Sequence, residues 1–168
     1  STTTGTITIT AQTVQEQAAT SVPGTKTSLC GTGETEGLET HWVADTDQIG
    51  IFSPQARTTD GGSTQIQNAE FTAQTSAKSS AFTGTMYWGT GNHDFYAYYP
   101  YESTYSGDQT AVPISLPSAQ SQSEAGSTAH IGALDYMVAT PLEVTPPGAV
   151  NLGFKHVFAM IEFKITGS

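Results

Sequence analysis

The chain has one cysteine, Cys30, among its 168 residues. An internal disulfide is therefore excluded, as is any zinc site built from several thiolates. A lone thiol of this kind ordinarily packs as a small hydrophobe. Cationic residues are also scarce, with 5 Lys+Arg against 15 Asp+Glu and a formal net charge of −10. Nucleic-acid binding needs a cationic surface that releases counterions from phosphates, so no nucleic-acid partner is expected. The same deficit argues against electrostatic docking on anionic lipid. No apolar run approaches the length that crosses a bilayer. The chain opens on "STTTG" without a leader. That fits a cytosolic protein or a segment whose targeting sequence was removed, and the Lys-poor, Thr/Ser-rich composition leans towards export.

Only 12% of residues are charged, and Thr, Ser, Gly and Gln supply most of the polarity. This composition suits extended, turn-rich structure rather than charged surface helices. In "TGTITITAQ", Ile7 and Ile9 share one parity and Thr6, Thr8 and Thr10 the other, the pattern of a half-buried strand. "KTSLC" and "ETHWVAD" read as two strands of a long hairpin, and "DQIGIFSP" as a strand stopped by Pro54. From Gln55 to Ser80 large apolar residues are few, which predicts a long surface excursion with at most one short strand. "AFTGTMYW" and "DFYAYYPY" bracket "GTGNH" as a hairpin, and "AVPISLP" reads as an edge strand bounded by prolines. "DYMVAT" is a further strand, followed by a turn at "PLEVTPPGA". In "VNLGFKHVFAMIEFKIT" both parities are apolar from Val157 onward, predicting a central strand covered on two sides. About seven to nine strands with polar turns and long loops make an all-β chain, expected as a β-sandwich. Ending on "KITGS" directly after that strand, the chain is expected to be the leading domain of a longer protein.

No catalytic or metal constellation emerges. His41, His93, His130 and His156 lie in separate segments without metal-ligand spacing. Each is read as structural or surface, with His156 at a core edge and His93 solvated beside a turn. Asp45 and Asp47 in "DTDQ" form a candidate calcium pair, but the other oxygen ligands of a calcium loop are missing, leaving a solvated turn. "GTGETEG" and "GTGNHD" lack the strand and helix context of phosphate loops and read as turns. No GxSxG elbow occurs. The expectation is a protein without catalysis, metal or cofactor.

The stretch "TMYWGTGNHDFYAYYPYEST" holds most of the tyrosines. On strand parity Phe95, Ala97 and Tyr99 form one face and Tyr96, Tyr98 and Pro100 the other. The first face reads as core. The second, with Tyr101, is the candidate ligand-facing surface, because tyrosine tolerates half-burial with its hydroxyl wet.

"KTSL", "HWVADTDQIGIFSP", "FTGTMYW" with "FYAYYPY", "ISLPSAQSQ", "ALDYMVATP" and "VNLGFKHVFAMIEFKI" follow one another between Lys26 and Ile165. In residues and order the chain resembles the fimbrillin-like family, surface lipoproteins and pilus subunits of gut and oral anaerobic bacteria. The resemblance implies two tandem transthyretin-like β-sandwich domains, with residues 1–168 as the N-terminal one. It implies residence at the cell surface, on the outer membrane and in the fimbrium. Membrane attachment would run only through a lipid anchor upstream of Ser1. Its partners would be other fimbrial subunits, joined by strand exchange. The exchangeable strand would lie within residues 1–15, with Ile7 and Ile9 filling pockets. Release would follow cleavage at a basic residue, for which Lys26 and Arg57 are the candidates. Family pilins are typically clipped at arginine, and no arginine precedes Arg57 here. The alternative is a non-polymerising surface lipoprotein that binds carbohydrate or a host ligand through Tyr96, Tyr98 and Tyr101.

Overall fold

Period-two patterning survives at both ends of the chain. Ile7, Ile9 and Ala11 share a parity and are all buried, while Thr8 between them is exposed. Val150, Leu152 and Phe154 are buried in the same way. A pleated strand dictates this alternation. The computed structural model describes residues 4–14, 28–30, 39–119, 121 and 134–158. Within them run β1 (Ile9–Thr13), β2 (Ser28–Cys30), β3 (Glu39–His41), β4 (Gln48–Arg57), β5 (Gln65–Ala73), β6 (Ser79–Thr83), β7 (His93–Tyr99), β8 (Met137–Ala139), β9 (Leu142–Val144) and β10 (Val150–His156). No helix forms among the described residues.

Among the described residues β2 and β3 pair only with each other, as the hairpin read from the sequence. The other eight strands form one sheet in the order β4-β5-β6-β1-β10-β8-β7-β9. β4 also pairs with β7, through Gly50↔Tyr98 to Phe52↔Tyr96. The sheet therefore closes into a barrel, and β9 extends the β7 edge beyond β8. The all-β class is as expected. The two faces expected of a sandwich are instead opposite walls of one closed sheet, which leaves fewer unpaired edges.

Ile9, Ile49, Ile51, Phe71, Phe82, Phe95, Met137, Leu152 and Phe154 fill the interior. Two tryptophans complete it at different places along β1. Trp42 follows β3 and meets Phe82, Tyr99 and Phe154 edge-on at centroid distances of 5.1, 5.5 and 5.3 Å. Trp88 meets His93 edge-on at 4.9 Å, and its backbone N–H donates to the Gly5 carbonyl. Edge-to-face packing of this kind is the favoured arrangement of aromatic quadrupoles.

Several elements differ from the sequence reading. β4 does not stop at Pro54: it continues to Arg57, with register irregularities against β5 between Ser53 and Arg57. A bulge accommodates a proline that a regular ladder would reject. The polar stretch contains the nine-residue β5 and the start of β6. Between its buried residues Ile66 and Phe71 the parity flips at a register shift, which hides the alternation. "GTGNH" does not join a hairpin. β6 pairs with β1 and β5, whereas β7 pairs with β4, β8 and β9. Gly89 in this connection lies against β4, where an added Cβ would sit 2.0 Å from the Gln55 carbonyl oxygen. "AVPISLP" forms no strand, and Ile114 and Leu116 are 38% and 41% exposed. The turn after β8 carries the short strand β9. β10 runs over Val150–His156, and Val157 and Phe158 after it are exposed; the rest of the stretch expected to be covered on two sides lies outside the described residues. Residues 159–168, His130 and "GTGETEG" lie outside the described residues.

Candidate functional site

β1 completes the barrel between two strands. It runs parallel to β10, from Ile9↔Val150 to Thr13↔Phe154, and antiparallel to β6, from Ile9↔Phe82 to Gln12↔Ser79. The backbone pairing extends past both ends of the strand. Ile7 N–H donates to the Met86 carbonyl, Thr13 N–H to Lys78 and Val14 N–H to Phe154. Inward along β1 and the residues just before it point Ile7, Ile9, Ala11 and Thr13, every one of them buried. Without β1 the closed sheet would expose the edges of β6 and β10, along with an apolar groove.

The β2–β3 hairpin is fastened at one end of this groove. The Thr13 hydroxyl donates to the Thr40 carbonyl at 2.7 Å, and Trp42 Nε1–H donates to the Ala11 carbonyl at 3.2 Å. Thr40 Oγ1 lies 3.0 Å from His156 Nε2, and His156 Nδ1 lies 2.6 Å from Asp135 Oδ1. An ionised carboxylate only accepts, so Nδ1–H donates to Asp135 and, in the neutral ring, Nε2 accepts the Thr40 hydroxyl. The connectivity is that of a hydrolase relay. Thr40, however, is only 5% exposed, which shields its hydroxyl from a substrate. The arrangement acts as a clasp joining β3 to the end of β10. Thr13, Thr40 and Trp42 were not picked out by sequence reading, because their partners lie 27 or more residues away.

Of the candidates chosen from sequence, Ile7 and Ile9 are 2% and 1% exposed, Ile9 opening β1 and Ile7 lying two residues before it. Lys26 lies outside the described residues. Arg57 is half-buried, and its backbone N–H and C=O both pair with Tyr87. Its guanidinium folds back to donate to the carbonyls of Pro54, Gln55 and Ala56 at 3.1, 2.7 and 3.0 Å. Tyr96 and Tyr101 are half-exposed on the barrel's outer wall. Tyr98 shares that wall but is 7% exposed, packed against Phe52 and Tyr105. Its hydroxyl donates to Asn68 Oδ1 at 3.0 Å, and burial pushes its pKa upward. Asn68 Nδ2 in turn donates to the carbonyls of Glu102 and Tyr105. Tyr98 is thereby part of the anchor of the loop after β7. Phe95, Ala97 and Tyr99 form the core face, as parity predicted.

Asp45 and Asp47 part company. Asp45 is exposed with φ 58°, whereas Asp47 is 1% exposed. The Asp47 carboxylate accepts from Val43 N–H at 2.7 Å and Tyr99 O–H at 2.9 Å, so its oxygens hold the core rather than a solvated turn. Among the described residues no three metal-ligating side chains gather. His93 is also a correction, since it is fully buried rather than solvated. Its Nε2 accepts the Gly89 N–H at 2.9 Å, and Nδ1–H donates to the Gly91 carbonyl at 2.8 Å. Burial lowers its pKa below the ordinary 6.5, and nearby Arg57 adds to the effect. It orders the turn that sequence reading took for a hairpin.

A family model described as fimbrillin-like matches residues 33–168. The chain belongs to the fimbrillin-like family. The matched stretch begins after β2 and takes in every strand of the barrel except β1. Fimbrillin-like proteins are structural pilus subunits rather than enzymes, and their place is the cell-surface fimbria. Searches for a curated protein or a solved structure similar to this chain found no match.

Proposed function

We propose that this fimbrillin-like chain is a non-catalytic structural or accessory subunit that joins its neighbours by exchanging β1. What supports the reading is the position of β1. It is the first strand among the described residues, and together with the residues just before it closes the barrel between β6 and β10 with four inward side chains. Replacing it with an extended segment of another subunit restores the main-chain ladder and refills the pockets, which is β-augmentation. Processing at Lys26 would free β1 and leave β2 onward intact. Processing at Arg57 would require β4 to leave its pairing with Tyr87 first. A lipid anchor upstream of Ser1 and a role in adhesion belong to the same proposal.

The test introduces a site-specific protease sequence in place of residues 18–24 and cleaves the folded chain. Light scattering after size exclusion then reads the mass of the species formed. The expected result is loss of the β1 fragment and formation of dimers or longer assemblies. A clipped chain that sheds β1 but stays monomeric indicates an anchor or tip subunit. One that keeps its own β1 at every concentration contradicts strand exchange.

A further inference from the structure

The surroundings of β1 change along its length. At the first two inward positions, Ile7 and Ile9 sink bulky aliphatic groups into the core, at 2% and 1% exposure. At the third, the side chain shrinks to Ala11, fully buried. The Trp42 indole occupies that part of the barrel, held edge-on by Phe82, Tyr99 and Phe154 while Nε1–H donates to the Ala11 carbonyl. At the fourth, Thr13 is 4% exposed and its hydroxyl donates to the Thr40 carbonyl. The flanking ladders fix direction as well, since β10 is met in parallel and β6 in antiparallel register.

We infer that the β1 groove selects its occupant by a four-position rule, and that Trp42 and Thr40 enforce its last two positions. The fitting partner is an extended segment carrying, at alternate residues, bulky aliphatic, bulky aliphatic, small, then Ser or Thr, and running parallel to β10. This rests on the strand-exchange reading. A larger third residue must displace an indole packed by three rings, and a dense core resists such overpacking. An apolar fourth residue withdraws the hydroxyl that now reaches the buried Thr40 carbonyl, so a buried hydrogen bond is lost. At the first two positions, a polar or charged side chain would enter the core without a partner.

The experiment uses the full chain, cleaved between β1 and β2 as above, with circular dichroism to check that it stays folded. Fluorescent synthetic peptides spanning residues 4–14 are offered to it, and uptake is measured by anisotropy and by co-elution. Four peptides are compared: the native sequence, Ala11→Leu, Thr13→Val and the native sequence reversed. Because the changes lie in the peptide, misfolding of the barrel does not confound them. The native peptide is expected to displace the resident strand. Ala11→Leu should bind about ten- to a hundred-fold more weakly. Thr13→Val should lose roughly five- to ten-fold, and the reversed peptide should not enter. Equal uptake of the native, Ala11→Leu and Thr13→Val peptides overturns the selection rule while leaving strand exchange standing. Failure of the native peptide to enter removes strand exchange itself, and the rule falls with it.

Discussion

His93 shows how a single side chain can carry a turn. Both ring nitrogens are occupied, with Nδ1–H donating to Gly91 and Nε2 accepting from Gly89. Protonation would place a second N–H against the Gly89 N–H, donor facing donor. Its folded pKa lies below the ordinary 6.5, with burial the largest cause and Arg57 adding to it, while Asp94 pulls the other way. Glu143 lies on the neighbouring β9, paired in register with Asp94. The unfolded chain therefore binds a proton that the folded chain refuses in the window just below 6.5. The stabilisation is fully present above that pH and is lost as pH falls towards the lowered folded value. Urea midpoints at descending pH should fall more steeply for the native chain than for His93→Gln. Parallel slopes would remove His93 from the acid response. Nothing in "GTGNHD" announces this role, because the histidine's partners are backbone groups whose placement the tertiary fold decides.

At the scale of elements, alternation was legible wherever a strand stays in register and pairs on both sides. β1 and β10 are the cases, with Ile7, Ile9, Leu152 and Phe154 all inward. It was not legible in β5, where a register shift moves the buried parity from Ile66 to Phe71. Nor does a turn signal say which strands pair, as the separation of β6 from β7 shows. "AVPISLP" has the pattern of a strand, but no ladder takes it up. The groove was half legible: its occupant's bulky residues could be named from sequence, but Trp42 and Thr40, which shape its other end, could not. Pairing also governs protease access, because a protease needs an extended segment free of its own ladder. The backbone of Arg57 is engaged with Tyr87, and Lys155 lies inside β10. Brief trypsin treatment of the folded chain, read by mass spectrometry, should therefore cut at Lys26 before Arg57. A first cut at Lys155 would contradict the strand assignment.

At the scale of the whole molecule, a chain of net charge −10 must approach copies and relatives of itself to assemble. Like charge slows such encounters, and salt screens the repulsion. Association of the clipped chain should accelerate between about 20 and 200 mM salt, by stopped-flow light scattering. Slowing instead would indicate that opposite charges guide the encounter. Family membership implies a cell-surface fimbrial location, and in the closed barrel the departure of β1 opens the edges of β6 and β10. The central claim is that β1 can leave while the rest of the barrel holds. Native-state hydrogen exchange tests this most directly. The amides of Ile9, Ala11 and Thr13 should exchange through an opening of lower free energy and smaller denaturant dependence than those of Ile49, Ile51 and Phe71. Exchange of all six only through global unfolding would contradict it.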